Sequence, residues 1–115
     1  MTTLQIRIGV DLQREAEEIK AAIRRHEAGE DVHEAVITFE SWDLLTRLLT
    51  SRRLDLLRHL HRHPQPSIRS LAKALGRDYA NVHADVRALA EAGLIDDADG
   101  LRFDFDEIEL PRIAV

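Results

Sequence analysis

Two amphipathic helices joined by a very short turn are the feature that most limits how this chain can fold. Ser67 is a typical N-cap, and Gly76 suits the left-handed residue that ends a helix. Apolar residues recur between them at the spacing of one helix face: Ile68, Leu71, Ala72 and Leu75. A second helix follows after only Arg77 and Asp78, and it ends at Gly93. Its predicted inward residues are Val82, Val86 and Leu89. Two helices this close in sequence must cross steeply, as in a helix-turn-helix.

The first fifty residues predict a strand-helix-strand arm followed by a helix. Apolar and polar residues alternate over 4–10, which indicates a half-buried strand. Asp11 can cap a helix that ends near Gly29 and carries an apolar stripe of Leu12, Ala16, Ile19 and Ile23. The β-branched run at 35–39 predicts a second strand, and Ser41 can cap the next helix.

The remaining residues predict a helix, the helix pair and a hairpin. The helix before the pair carries Leu54, Leu57 and Leu60 with Leu56 beside them, and it stops at Pro64. Asp99-Gly100 is a strong turn signal, after which Leu101, Phe103 and Phe105 alternate with polar residues. This pattern predicts a β-hairpin, with a third strand possible through Ile108 and Leu110.

The predicted fold class is therefore α+β and mainly helical. We expect residues 1–50 to form an N-terminal arm for dimerisation or partner binding. We expect residues 51–115 to form a winged helix-turn-helix domain with a C-terminal β-hairpin wing.

The net charge of −5 hides a basic middle segment. Residues 51–93 hold eight Lys or Arg against four Asp or Glu, whereas residues 94–115 hold two against seven. Because salt screens fields beyond about 8 Å, the local charge matters more for binding than the total. The middle segment can therefore meet an anionic partner.

The stretch S-I-R-S-L-A-K-A-L-G…V-H-A-D-V-R-A-L-A-E-A-G-L-I resembles the MarR-like and ArsR-like regulators of bacteria and archaea, over about residues 51–105. With the preceding I-T-F-E-S-W-D-L-L-T-R-L-L-T-S-R-R-L-D-L-L-R-H-L and the tail D-E-I-E-L-P, the chain is similar to the small winged-helix antitoxins encoded beside TumE-type toxins. The resemblance implies binding to the operator of its own operon and binding to the neighbouring toxin.

The outward face of the second helix of the pair is the predicted DNA-reading surface. Asn81 can pair with adenine, and Arg87 can hold a phosphate or guanine. Ala80 and Ala84 are short for this role, and we expect Asp85 to pair with a neighbouring Arg or His. The alternative is an ordinary solvated helix face. The predicted DNA-contacting residues are Ser67, Arg69, Lys73, Arg77, Tyr79, Ala80, Asn81, His83, Ala84, Arg87 and Arg102.

The wing tip is acidic at Asp96, Asp97 and Asp99, with Arg102 as its only nearby cation. A wing that enters the minor groove usually brings Arg or Lys, so we expect this tip to avoid DNA and the acidic tail to suit a basic partner.

The two histidines His59 and His63 stand at i, i+4, a spacing that also occurs in zinc sites. No further ligand completes a site, so we predict neither a metal nor another cofactor. The sequence has no Gly-rich phosphate loop and no nucleophile elbow, so we expect no enzyme activity.

A helix that is apolar around much of its surface needs a partner, which points to a dimer interface near residues 39–49. The predicted dimerisation residues are Phe39, Trp42, Leu45, Leu48 and Leu49.

These patterns together predict a cytoplasmic, homodimeric DNA-binding repressor that occludes a palindromic operator and acts as an antitoxin. The sequence shows no secretory signal and no membrane span. The alternative is a winged-helix module that binds protein and not DNA, which the acidic wing and the two alanines favour.

Overall fold

The computed structural model describes residues 2–9, 11–29 and 34–115. The fold is α+β and mainly helical, as predicted. Its elements in chain order are β1 (Thr3–Ile8), α1 (Leu12–Glu27), β2 (Glu34–Phe39), α2 (Trp42–Leu48), α3 (Ser51–Arg62), α4 (Ile68–Leu75), α5 (Tyr79–Glu91) and β3 (Glu107–Glu109). Val10, which the alternation placed in the first strand, lies outside the described residues.

The described strands form one three-stranded parallel sheet in the order β2-β1-β3. β1 pairs with β2 from Thr3 opposite Glu34 to Ile8 opposite Phe39, which confirms the predicted strand-helix-strand unit. Leu4 and Ile6 of β1 are buried in the core. The central strand therefore packs the sheet against the helices.

The sequence pattern allowed a last strand through Ile108 and Leu110 but assigned it no partner. β3 lies parallel to β1, with Ile108 opposite Leu4, and is not part of a C-terminal hairpin. Residues 101–105 form no regular strand, and the structure shows only isolated antiparallel bridges of Gln65 with Leu101 and Asp96 with Arg102. The alternation did predict that Leu101 and Phe103 are buried. A periodic pattern identifies the buried side of a segment but not its partner strand, which is why the pairing was missed.

The pairing of β1 with β3 joins the two predicted regions in one sheet. Leu4 of the arm belongs to the same buried cluster as Leu56, Leu71 and Val86 of the second region. The division at residue 50 stays a prediction.

A side-chain oxygen caps the N-terminus of each of the five helices in the described chain. In every case it accepts a hydrogen bond from a backbone N–H three residues on, and the caps are Asp11, Ser41, Thr50, Ser67 and Asp78. Three of these caps were predicted, and Thr50 and Asp78 were not. Gly76 ends α4 with a φ of +65°, as predicted. These local signals fix where the helices begin.

The core lies between the sheet and helices α3 to α5. The predicted inward residues Val82, Val86 and Leu89 of α5 are all buried. In α3 the leucine predicted to flank the apolar face, Leu56, is fully buried, whereas Leu54 is only half-buried. The fully buried large side chains are Leu4, Leu56, Leu57, Leu60, Leu71, Leu89, Leu94, Val82 and Val86.

Thr2 and Asp106 hold the start of β1 beside the start of β3. The Thr2 backbone N–H donates to Asp106 Oδ2 at 3.0 Å, and the Asp106 backbone N–H donates to the Thr2 carbonyl at 2.9 Å. His61 Nε2 lies 3.3 Å from Asp106 Oδ1. The backbone N–H of Thr2 lowers the pKa of the Asp106 carboxyl most, burial opposes this, and the Thr2 hydroxyl and the charge of His61 lower the pKa further.

We expect Leu71→Ala to destabilise the fold by about 2–5 kcal/mol, because Leu71 is fully buried and its loss leaves a cavity. Urea unfolding followed by circular dichroism measures the change. Leu44→Ala, at an exposed position of α2, is the matched control and should change the free energy of unfolding by less than about 0.5 kcal/mol. Equal effects of the two changes would contradict the core described above.

The lowered pKa of Asp106 predicts a pH dependence of stability. The folded pKa lies below the unfolded value of about 3.9, so the contribution is present above that pH and is lost as the pH falls through the folded pKa. Asp106→Asn should therefore flatten the acid side of the profile when urea midpoints are compared between neutral and acid pH. An unchanged profile in the variant would show that this carboxylate does not hold β1 to β3.

Candidate nucleic-acid interface

Helices α4 and α5 form a tightly joined pair. Only Gly76, Arg77 and Asp78 separate them. The Arg77 backbone N–H donates to the Ala72 carbonyl at 3.1 Å, which closes the end of α4, and the Asp78 side chain caps α5. The turn therefore uses its backbone groups to end one helix and its side chain to begin the next.

The outward face of α5 is exposed. Because Val82, Val86 and Leu89 face the core, the side chains between them point away from it. All six residues that the sequence placed on this face are exposed: Tyr79, Ala80, Asn81, His83, Ala84 and Arg87.

Aromatic contacts connect α4 to α5 on this surface. The Arg69 guanidinium carbon lies 5.6 Å from the centre of the Tyr79 ring. The Tyr79 and His83 ring centres are 5.8 Å apart. The structure thus brings three of the predicted DNA-contacting residues together, two on α5 and one on α4.

Most cations of the basic segment have no carboxylate partner inside the chain. Arg53 pairs with Asp85, and Arg58 pairs with Asp55. Within the described residues, the other six cations have no carboxylate oxygen within 4.0 Å: Arg52, Arg62, Arg69, Lys73, Arg77 and Arg87. Their charges are available to an external anion.

The pair of Arg53 and Asp85 confirms the prediction that Asp85 finds a neighbouring cation. Arg53 Nε donates to Asp85 Oδ1 at 3.0 Å, and Arg53 Nη1 also donates to the carbonyls of Arg47 and Leu48. Only 20% and 16% of these two side chains are exposed. The one acidic residue in the middle of α5 is therefore neutralised beside α3 and does not oppose a phosphate.

Arg52 is a candidate DNA contact that was not predicted from the sequence. It lines an open groove with Asn81 and Thr50, where the start of α3 meets α5. Arg62, at the other end of α3, is the second omitted cation. Both residues belong to the basic segment, and this could have identified them from the sequence. A cation beside the predicted helix pair adds to the positive potential that attracts a phosphate.

Two predicted contacts, Arg102 and Ser67, are engaged inside the chain. Arg102 lies 3.3 Å from Asp96 and 3.5 Å from Asp104, so its charge is already compensated. The pKa of the Asp96 carboxyl is lowered first by the Ala98 backbone N–H and then by Arg102. Ser67 uses its hydroxyl to accept from the Ser70 backbone N–H.

Near the histidines of α3, as elsewhere in the described residues, no group of three or more metal-ligating side chains lies together. The His59 and His63 ring centres are 5.3 Å apart, and His63 lies just past the end of α3. His59 Nε2 is buried without a hydrogen-bond partner in this part of the chain.

The predicted dimerisation residues divide between the core and an open groove. Leu45 is buried, and Phe39, Leu48 and Leu49 pack against the core inside one chain. Trp42 is 36% exposed. Trp42, Leu45 and Leu49 line an apolar groove of about 390 Å³ with residues of α3 and the C-terminal segment. A dimer interface on α2 stays a prediction.

The fold and this surface define a small α+β protein with a basic, tightly joined helix pair. The HVO_A0114 family model matches residues 48–110, which is more than half of the chain. The chain therefore belongs to the HVO_A0114 family.

Neither the curated proteins nor the solved structures gave a match. Among the residues that the structure describes, every helix is too short or too polar to cross a membrane.

The ion pair between Arg53 and Asp85 should stabilise the contact of α3 with α5. In a double-mutant cycle of Arg53→Ala and Asp85→Ala, we expect a coupling free energy of about 0.5–3 kcal/mol from urea unfolding. The exposed pair of Arg58 and Asp55 is the matched control, with an expected coupling below about 0.5 kcal/mol. Similar couplings for both pairs would show that the burial of the Arg53 pair has no energetic consequence.

Proposed function

We propose that this protein is a sequence-specific DNA-binding repressor that inserts α5 into the major groove. The observation that carries the proposal is the exposed face of a tightly joined helix pair beside cations that have no carboxylate partner in the described part of the chain. Phosphate contacts by such cations supply much of the affinity of DNA-binding proteins, and the side chains of an inserted helix read the bases.

The dimensions and residues of α5 suit this role. Its 13 residues make a rod about 20 Å long, and a helix fits the major groove, which is about 12 Å wide. Asn81, His83 and Arg87 would lie nearest the bases. Arg69, Lys73 and Arg77 would contact phosphates, and Arg52 joins them from α3.

The short bridges beyond α5 support a winged-helix arrangement. Gln65, between α3 and α4, pairs with Leu101, and Asp96 pairs with Arg102 across a small loop. Bridged extended segments beside a helix pair are what a wing would add to a helix-turn-helix. Because the loop is acidic and Arg102 is compensated, we expect the wing to stay off the DNA.

The repressor would act as a two-fold dimer in the cytoplasm, occluding a palindromic operator whose half-sites lie about 34 Å apart. The antitoxin role rests on the sequence resemblance. The acidic residues of 94–115 that have no cation partner in the described chain, such as Asp97, Asp99 and Glu109, support it, because they offer negative charge to a basic toxin.

A module that binds protein and not DNA is the second candidate. Ala80 and Ala84 occupy the outward face of α5, where a DNA-reading helix usually carries longer polar or basic side chains, and Glu91 at the end of the helix is acidic. The composition of this face of α5 therefore favours the protein-binding module. That candidate does not explain why six cations of the basic segment have no carboxylate partner in the described chain.

Arg87→Ala tests the proposal. If Arg87 contacts DNA, the variant should bind its own promoter DNA at least about fivefold more weakly, as for the loss of one good contact. Fluorescence anisotropy across a salt series measures this. If the contact is to a phosphate, the slope of log affinity against log salt should also fall by about 0.9.

Arg112→Ala, in the exposed C-terminal segment, is the matched control and should bind like the wild type. Promoter and scrambled DNA bound equally weakly by all three proteins would favour the protein-binding module.

A further inference from the structure

Helix α1 carries an apolar stripe that the described residues leave exposed. Leu12, Ile19 and Ile23 are 75%, 61% and 51% exposed, and α1 has no buried residue. The apolar stripe of an amphipathic helix normally faces the core. Here the stripe faces outward, and three large apolar side chains lie on the surface.

A more polar side of α1 meets the sheet instead. Glu18 pairs with Arg7 of β1, and the groove between α1 and the sheet is lined by Glu15, Ala22 and Arg25 among others. At 100° per residue, the stripe lies about a third of a turn from this side. The polar contact with the sheet therefore holds α1 in place and leaves the stripe free.

The stripe lies on the side of β2. Ile19 lines the same groove as Val36 and Thr38 of β2, and Val36 is itself 45% exposed. β2 is an edge strand, because the sheet order is β2-β1-β3, and no described strand pairs with its outer edge. An exposed apolar edge strand is a ready site for pairing with another chain.

We propose that α1 and β2 bind a second copy of this chain. In this arrangement β2 pairs antiparallel with β2 of the partner about a two-fold axis, and the two sheets become one. The same axis sets α1 antiparallel to α1 of the partner, with the two apolar stripes in contact.

The spacing of the sheet fits this packing. The α1 groove contains residues of both β1 and β2, so α1 lies over the gap between these strands. Strands are about 4.8 Å apart, which places the two copies of α1 about 10 Å from each other across the paired β2 strands. This is the usual distance between packed helices.

The side-chain pattern also fits antiparallel pairing. Residues directly opposite each other in antiparallel strands point to the same face. A register that pairs even-numbered with even-numbered residues keeps Val36 and Thr38 of both copies on the α1 face, where they extend the apolar contact.

The charges of α1 select a second copy as the partner. The first half of the helix holds Glu15 and Glu17 with Arg14, and the second half holds Lys20 and Arg24 with Glu27, so the two halves carry opposite net charges. Glu18 is already paired with Arg7. Antiparallel packing about Ile19 places the acidic half of each helix against the basic half of the other. Each copy therefore supplies the charges that the other needs.

Self-association through α1 and β2 requires no contact with DNA. It also differs from an interface on α2, where Leu45 is already buried inside the chain.

The first test replaces Ile19 and Ile23 with Glu together. Sedimentation equilibrium should show a wild-type dimer and a variant whose dimer dissociation constant is about thirtyfold higher or more. Circular dichroism should be unchanged, because no residue of α1 is buried. The matched control is Leu44→Glu on α2, also exposed and apolar, which should leave the dimer intact.

The second test reverses the charges of each half of α1. The double variant Glu15→Lys with Glu17→Lys makes the helix mainly basic, and Lys20→Glu with Arg24→Glu makes it mainly acidic. Each should be monomeric alone, and an equimolar mixture should form a heterodimer in native mass spectrometry. A heterodimer in the mixture would show that the variants are folded, because only folded helices with complementary charges can restore the dimer.

Three outcomes would overturn the proposal. A wild-type protein that stays monomeric at high micromolar concentration would mean that a different protein covers the stripe. A dimer that survives the two glutamates but is lost in Leu44→Glu would place the interface on α2. Charge-reversed variants that remain monomeric when mixed would show that the helices do not meet antiparallel.

Discussion

The pairing of β1 with strands on both of its sides is the constraint on which the rest of the structure depends. β1 contacts β2 from the same strand-helix-strand unit and β3 from the far end of the chain. Leu4 sits at this junction, paired with Ile108 and fully buried in the core that α3, α4 and α5 complete. Leu4 therefore belongs to the same buried cluster as Val82, Val86 and Leu89 of α5.

The sheet has two unlike faces, and the difference explains how α1 is held. On one face, Leu4 and Ile6 of β1 are buried in the core, so the apolar residues of the alternating pattern lie on this side of the sheet. The opposite face presents Gln5 and Arg7, so the helix that covers it must offer polar groups such as Glu18. Because α1 meets this face through Glu18, most of its apolar stripe lies away from β1 and is exposed.

Local features were predictable from the sequence, and the choice of partners was not. The caps Ser41 and Ser67 and the inward face of α5 follow from interactions within a few residues, and they were predicted correctly. The partner of β3 and the direction of the α1 stripe depend on residues far apart in sequence. The alternation around Phe103 and the heptad-like spacing around Ile19 are compatible with several arrangements, since a period defines a face and says nothing about what covers it.

The same limit applies to the charges of the candidate site. A count of charged residues along the sequence treats Arg53, Arg87 and Arg102 alike. In the folded chain these three arginines differ in their carboxylate partners. Arg53 is used to neutralise Asp85, Arg102 is compensated by two wing carboxylates, and Arg87 has no carboxylate within 4.0 Å in the described chain. The net charge of −5 therefore does not decide what the protein binds, because each acid that finds a partner inside the fold stops repelling an external anion. What matters for a phosphate approaching α5 is which cations the fold has left uncompensated.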